Sequence, residues 1–523
     1  MSNKIYFNIK KIKKGIDIAF KSVAPTMGAS GRNIIYRSFY SRNPIVTNDG
    51  ISILKEINLK DEGLQMGIDM IKQSSSRTND EAGDGTTTAV VLSKHMVDKG
   101  LKLIKGKGFW IFRKRGVSSM ILMKQIETAV SDMIKRIKSR ARKIETDEDI
   151  FNIANISMED PEIAKLVVSA VKKAGENGTV LVEESSGMEI VKEEIDGLKF
   201  DKGYVTPYMV TNPSTMEAVL TDVDILITDK TINLNQDIFL LIDALNKRGD
   251  KQLLIICEGI QGEALTSIIT NRLKGLFNCV VVQKPTDSEI LDDIAVLTGG
   301  TALTSANTTN FFTADHLSAL GHAKKVVVTK DSTLIIGGQG DAVKMADKIE
   351  SINKDIKAAT GYKKEMLKER LAKLVGGVVI IKVGAPTEAE MKYLKLKIDD
   401  AVASTRAAVE EGIVMGGGKT LYELAQAKPK NPGEEVVFYA CQQPIKQIIK
   451  NAGFNPRREI RKLKEGQAWN ALTCSVSENP VAEGLVDPAK VERCCLENAA
   501  SFAALFLSSF GVFVDEPQNS KND

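Results

Sequence analysis

Residues 83–88 read GDGTTT: an aspartate between two glycines, then three threonines in a row. Threonine is a poor helix former, so a run of three calls for a reason. Downstream, AVVLSKHMVDKGLKLI has helical spacing, with Val90, Val91, Met96, Val97, Leu101 and Ile104 apolar. The threonines therefore stand at a helix N-terminus, where free backbone N–H groups and the positive end of the dipole suit a phosphate. Thr86, Thr87 and Thr88 would add hydroxyl donors. Asp84 could hold the Mg²⁺ that accompanies a nucleotide, because Mg²⁺ is bound by one or two carboxylates plus phosphate oxygens. An N-capping turn, which Asp and Thr also favour, is the ordinary alternative. On these residues alone both readings stand.

Asp400 is a second candidate. It lies in EAEMKYLKLKIDDAVASTRAAVEEG (388–412), expected to form one long helix that stops at Gly412. A lone helix carboxylate is usually solvated; brought to phosphates, it could orient the water that attacks a γ-phosphate. Glycine-rich turns recur at Gly28–Gly31, Asp49–Gly50, Gly83–Gly85 and Gly416–Gly418, which suggests backbone closing around something. GGGKT (416–420) invites a Walker A reading. That loop needs a glycine at 413, where Ile413 stands, and the segment follows a helix and not a strand, so the P-loop is rejected.

The elements that must position these residues fall into an α/β multidomain pattern. Residues 1 to about 139 read mainly as helix, and NGTVLVEES within 150–190 as a strand. From about 196 to 377 strands and helices alternate, with QLLIICEG, NCVVVQKP and KKVVVTKD as β-branched runs. VVIIKVGA (378–385) is a further strand, and the remainder is largely helical. An α/β segment is thus inserted into a helical domain whose halves lie at the two chain ends.

In the inserted segment, INLNQDIFLLIDAL (232–245) can pack Ile238, Leu241 and Leu245 inward, leaving Phe239 and Ile242 over. EALTSIITNRLKG (263–275) carries Leu265, Ile268 and Ile269. Such surplus apolar surface is either buried or a binding face, and periodicity alone favours burial.

With 523 residues the chain is too long for one ordinary core. A net charge of only +4 and 5% aromatic residues argue against a nucleic-acid partner. Six cysteines without CxxC spacing and three histidines argue against a zinc site and fit a reducing compartment. No apolar run reaches the roughly 18–20 residues a membrane span needs. The opening MSNKIYFNIKKIKKGIDIAF lacks the uninterrupted apolar core of a signal and the arginines of a transit peptide. It reads as a strand followed by a helix of a cytoplasmic protein, and only the polar tail EPQNSKND reads as disordered.

In combination, TMGASGRN, TNDG, AGDGTTTAVVL, FDKGYVTPY, LTGGT, GGVVIIKVGA and STRAAVEEGIVMGGG resemble the group I chaperonins (the GroEL family), in order and spacing and over nearly the entire chain. The resemblance implies an equatorial ATP-binding domain at 1–139 and 411–523, an intermediate domain at 140–195 and 378–410, and an apical domain at 196–377. It implies ATP and Mg²⁺, with K⁺ as a further cation, and homo-oligomeric rings, usually seven-membered and paired. Unfolded protein clients and a small lid cochaperonin are the implied partners, with neither nucleic acid nor membrane. Carried over, Asp84 is the Mg²⁺ aspartate and Gly85, Thr86, Thr87 and Thr88 bind phosphate. Thr26, Met27 and Gly28 form the first nucleotide loop, beside Asn48. Gly417, Asn470, Ala471 and Asp487 take the ribose and base. Asp400 is the catalytic carboxylate and Asp49 a second one beside the attacking water. Tyr204, Tyr208, Phe239, Ile242, Leu265 and Ile269 fall on positions that bind unfolded chains and the lid.

The sequence also departs from that family. Asn48 replaces a lysine, removing a cation near the phosphates, and GASG replaces Gly-Pro-Lys-Gly. Met209 and Thr270 replace an aromatic and a valine of the binding face, and the Gly-Gly-Met tail is absent. Aligned on the family, a basic aromatic insert, KGKGFWIFRKR (105–115), and a second basic run, RREIRKLK (457–464), would set like charges against each other where two rings meet and weaken pairing. The alternatives are a solvated loop with no bearing on assembly, or a new apolar contact through Phe109, Trp110, Ile111 and Phe112. The expected function is an ATP-driven folding chamber. The alternative is a divergent ring scaffold or binding protein without a productive folding cycle. Asp49, Asp84 and Asp400 favour the former, because a chain freed from hydrolysis could lose any of them cheaply.

Overall fold

A computed structural model describes residues 4–37, 44–106, 116–144, 146–158, 160–175, 178–185, 187–213, 215–249, 252–287, 289–304, 314–359, 361–375 and 377–515. Residues 107–115 of the basic insert and the tail 516–523 lie outside them. The chain forms two compact units, one from residues 1–169, 182–191 and 382–523 and the other from 170–181 and 192–381.

The first unit is built on helices. Asn8 caps the helix Ile9–Val23 by accepting from the Lys10 and Lys11 backbone N–H groups, and Ile12, Ile16, Ala19 and Val23 form its buried stripe. Helices Glu62–Ala82, Thr86–Lys105, Ser119–Arg140 and Pro432–Cys441 add Ile68, Leu92, Met96, Ile126 and Val437 to the same core. Helix Ala489–Ser508 is buried over most of its circumference, with Cys494, Leu496, Ala499, Phe502 and Phe506 all inside. The chain ends meet in a small antiparallel sheet, Lys4–Asn8 against Gly511–Asp515, so the strand-then-helix reading of the opening residues holds. Each buried Leu, Ile or Phe contributes about 1.5–3 kcal/mol, so this core can hold a site whose charged groups are unfavourable on their own. The helix Glu388–Glu411 runs unbroken and ends at Gly412 (φ 83°), as its sequence implies.

The second unit holds a six-stranded mixed sheet in the order Asn278–Gln283, Gln252–Cys257, Ala218–Ile227, Gly321–Val328, Thr333–Gly338, Gly197–Phe200. The first three strands are parallel and the rest antiparallel. Helices Asn235–Arg248, Gly262–Leu273 and Glu289–Thr298 pack Ile238, Leu241, Ile268 and Ile294 onto it. All six cysteines are free thiols, five of them buried. Among the described residues, no helix is long and apolar enough to cross a membrane.

Candidate functional site

In the first unit a cleft of about 300 Å³ is lined by Thr26, Met27, Gly28, Asn48, Asp84, Gly85, Thr88, Lys397, Asp400, Gly417, Asn470, Ala471 and Asp487, among others. A larger cavity, about 760 Å³, lies in the second unit. It is open and no nucleotide candidate reaches it, so the smaller cleft is the candidate site.

Gly85 borders the cleft, and Gly83 stands two positions before it in the same turn. Both take left-handed backbone conformations, φ 68° and 82°, that L side chains rarely adopt. Gly83 ends helix Glu62–Ala82, and Gly85 starts helix Thr86–Lys105. No side chain caps that second helix. The Asp84 carboxylate instead accepts from the Gly85 N–H and the Ser404 hydroxyl. The N-capping alternative for Asp84 is therefore not the observed geometry, and the first-turn N–H groups stay available to an anion.

The three threonines point different ways, because successive helix residues turn by about 100°. Thr88 lines the cleft. Thr86 is buried and donates to Asp49 Oδ1 at 3.0 Å, and the Thr87 hydroxyl sits 3.3 Å from that of Thr26. Of the expected row of hydroxyls, only Thr88 thus borders the cleft; Thr86 braces Asp49 instead. Asp49 also caps helix Gly50–Lys55, accepting from Ile51 N at 3.3 Å and Ser52 N at 2.9 Å. Gly50 lets this helix approach the threonines, since a Cβ there would sit 2.8 Å from Thr87 Oγ1.

Further lining comes from strand Val486–Pro488, which pairs with Ile413–Met415 and sets Asp487 opposite Val414. The Asp487 carboxylate accepts from the Gly417 and Gly418 backbone N–H groups. Asn470 accepts from the Leu472 and Thr473 N–H groups, which fixes the turn that carries Ala471. Lys419, the would-be Walker lysine, is buried against Glu423 at 3.1 Å and does not border the cleft.

Sequence reading missed four residues of the site. Asn451 donates to the Ala24 and Met27 carbonyls at 2.8 and 2.9 Å and pins the first loop. Ser404 holds Asp84, one helical turn from Asp400. Trp469 and Glu492 line the cleft, and the Trp469 Nε1 and both Glu492 carboxyl oxygens are buried with no hydrogen-bond partner among the described residues. A helix-period count from Asp400 reaches Ser404; nothing local marks the other three.

Burial pushes the Asp84 and Asp487 carboxyls upward, Asp487 to about 6, and Asp400 well above the usual carboxylate range. Neighbouring acids add to this: Asp84 and Asp49 raise Asp400, and Asp84 raises Asp487. Burial likewise holds Glu492 far above its ordinary value. A cleft that crowds acids in this way favours a cation, the uncapped helix end favours an anion, and the unpartnered Trp469 N–H and Glu492 carboxyl call for a ligand with polar groups. Mg²⁺ with a nucleotide fits both demands.

The Asp487 shift has a consequence for the nucleotide-free protein. Its folded pKa lies above the unfolded value of 3.8, so the ionised form carries a penalty above about pH 6, and the penalty vanishes as pH falls toward 3.8. Asp487→Asn should therefore raise stability at pH 8 by on the order of 2 kcal/mol, with the gain shrinking as pH falls below about 6. Thermal melts across pH check this. A gain independent of pH would show that the Asp487 charge is not penalised.

The model of the TCP-1/cpn60 chaperonin family matches residues 20–515. The chain belongs to that family. Two crystal structures of chaperonin gp146 from the bacteriophage EL 2 (Pseudomonas aeruginosa), both in the presence of ATP-BeFx, share the fold. One has a TM-score of 0.66 at 18% identity and covers 97% of this chain and 98% of that one. The other has 0.60 at 19% identity, covering 98% and 99%. This chaperonin is therefore a divergent member, and family members are in general ATPases with a chaperone role.

The second unit of the chaperonin carries the remaining candidates. A groove of about 180 Å³ runs between helices Asn235–Arg248 and Gly262–Leu273, with Phe239, Ile242 and Ile268 on its walls. Phe239 is 62% exposed, but Ile242 is 9% exposed and packs with the core. The expectation that both are left over from packing thus holds for Phe239 only. Leu240 takes that place, 52% exposed, because five consecutive apolar residues, 238–242, give periodicity no phase to read. Leu265 and Ile269 are partly buried and do not border the groove. Tyr208 is exposed, whereas Tyr204 is buried and its N–H donates to the Thr329 carbonyl. Met209 is fully buried, so it belongs to the core and not to a binding face. Leu276 borders the groove and Leu273 ends helix Gly262–Leu273; both are exposed and were not singled out in the sequence.

Proposed function

We propose that this chaperonin captures non-native proteins in a ring cavity and promotes their folding by cycles of ATP hydrolysis. The observation that carries the reading is the cleft that joins an uncapped helix N-terminus to Asp84 and Asp400. When bound, Mg²⁺ would neutralise phosphate charge. Asp84 would hold the metal, and Thr88 with the first-turn N–H groups of helix Thr86–Lys105 would hold phosphate oxygens. Asp400 would take a proton from the attacking water, with Asp49 as the neighbouring carboxylate. Asn470, Ala471 and Asp487 would receive the ribose and base.

The three-domain division at 1–139 and 411–523, 140–195 and 378–410, and 196–377 belongs to the same proposal. So do cytoplasmic homo-oligomeric rings, seven-membered, and a lid cochaperonin. Client capture is assigned to Tyr208, Phe239 and the neighbouring leucines. A buried Phe or Leu is worth about 1.5–3 kcal/mol, so a few contacts per subunit suffice when a ring presents several copies.

Phe239→Ser should cut capture of a denatured test protein severalfold while ATPase activity stays largely intact. Light scattering of the aggregating test protein reads the capture. Suppression of aggregation equal to that of the unsubstituted chaperonin would place client binding elsewhere.

A further inference from the structure

We infer that Lys397 is a phosphate-binding residue of the nucleotide cleft, and this rests on the nucleotide reading given above. Among the described residues lining the cleft, Lys397 is the only Lys, Arg or His, against the carboxylates of Asp84, Asp400, Asp487 and Glu492. Asn48, which also lines the cleft, is neutral. Lys397 is 8% exposed, an uncommon burial for a lysine, which calls for anionic or aromatic company. The Tyr393 ring, 5.4 Å from Nζ, supplies part of it, and the Lys397 charge acts on the Asp400 carboxyl one turn away, opposing the rise in its proton affinity.

The placement follows from helix geometry. Lys397, Asp400 and Ser404 stand at i, i+3 and i+7 of helix Glu388–Glu411 and so share one face. Ser404 grips Asp84 at one end of that face. Lys397 lies seven residues away, about 10 Å along the axis. Asp400 lies between them. A metal held by Asp84 and the Lys397 ammonium would therefore bracket Asp400, and a polyphosphate is the ligand class with negative charge along such a span. A structural reading, in which Lys397 only neutralises Asp400, makes a different forecast: it does not distinguish ligands with phosphates from ligands without.

The test compares MgATP with adenosine, by calorimetry, for the full chain and for Lys397→Gln and Lys397→Arg. Lys397→Gln should weaken MgATP binding about tenfold or more, as expected for loss of a charge-assisted contact. Adenosine affinity should change by less than about twofold on the same grounds, since adenosine offers no charged partner. Lys397→Arg should retain most of the MgATP affinity. Equal losses for both ligands, or no loss for either, would overturn the inference while leaving the nucleotide reading intact. Absence of MgATP binding by the unsubstituted chain would overturn that reading, and the inference with it.

Discussion

Asp400→Ala is expected to leave MgATP binding in place and to slow ATP turnover by roughly 10²-fold or more, the scale of losing a positioned base. The three carboxylates near the threonines are not equivalent. Asp49 caps a helix and accepts from Thr86. Asp84 is held by Ser404 and the Gly85 N–H. Among the described residues, no hydrogen bond engages Asp400. It also sits where burial, Asp84 and Asp49 all raise its proton affinity, with Lys397 opposing them. An uncommitted carboxylate with enhanced basicity suits proton abstraction from water, and a committed one suits positioning. Single-turnover measurements at saturating ATP separate the chemical step from binding. Near-normal turnover in Asp400→Ala would remove this residue from the mechanism.

Asp84→Lys should abolish Mg²⁺-dependent nucleotide binding, because it places an ammonium where a divalent cation must sit. The loss should exceed that of Asp84→Asn, which removes a charge without reversing it and can still accept from Ser404. Both substitutions leave the left-handed glycines on either side untouched, so the loop between the two helices should persist. Calorimetric titration with ATP, with and without Mg²⁺, reads the effect. Unchanged MgATP affinity in Asp84→Lys would refute the metal assignment. A change of equal size with and without Mg²⁺ would show that Asp84 acts on phosphate or on the loop, and not through the metal.

Much of this was legible in the chain because the site is assembled from punctuation. Glycines that must take positive φ, and the acids and threonines beside them, stand out locally whatever the fold does at a distance. The long helix ending at Gly412 and the strand-then-helix opening were legible for a similar reason, each having clear periodicity and a clear stop. Distance relations were not. Thr86 looks like a phosphate ligand until the fold places Asp49 within 3.0 Å of its hydroxyl. Asn451 reads as an ordinary helix-end residue, yet it ties down the first loop from more than 420 positions away. Lys397 reads as one lysine among several on a charged helix, and only burial beside Asp400 sets it apart. In the second unit, residues 238–242 are apolar without a break, and the sequence could not tell that Ile242 turns inward while Leu240 turns out.

The chaperonin reading stands or falls on whether nucleotide hydrolysis drives client folding. The direct measurement is the recovered activity of a chemically denatured enzyme diluted into the purified protein, followed with MgATP, with Mg²⁺ alone, and with MgATP and the Asp400→Ala variant. Recovery is expected with MgATP and the unsubstituted protein, with or without a lid cochaperonin added. Capture without release is expected with Mg²⁺ alone, and strongly delayed recovery with Asp400→Ala. Recovery that proceeds equally in all three conditions, or in none, would contradict an ATP-driven folding cycle.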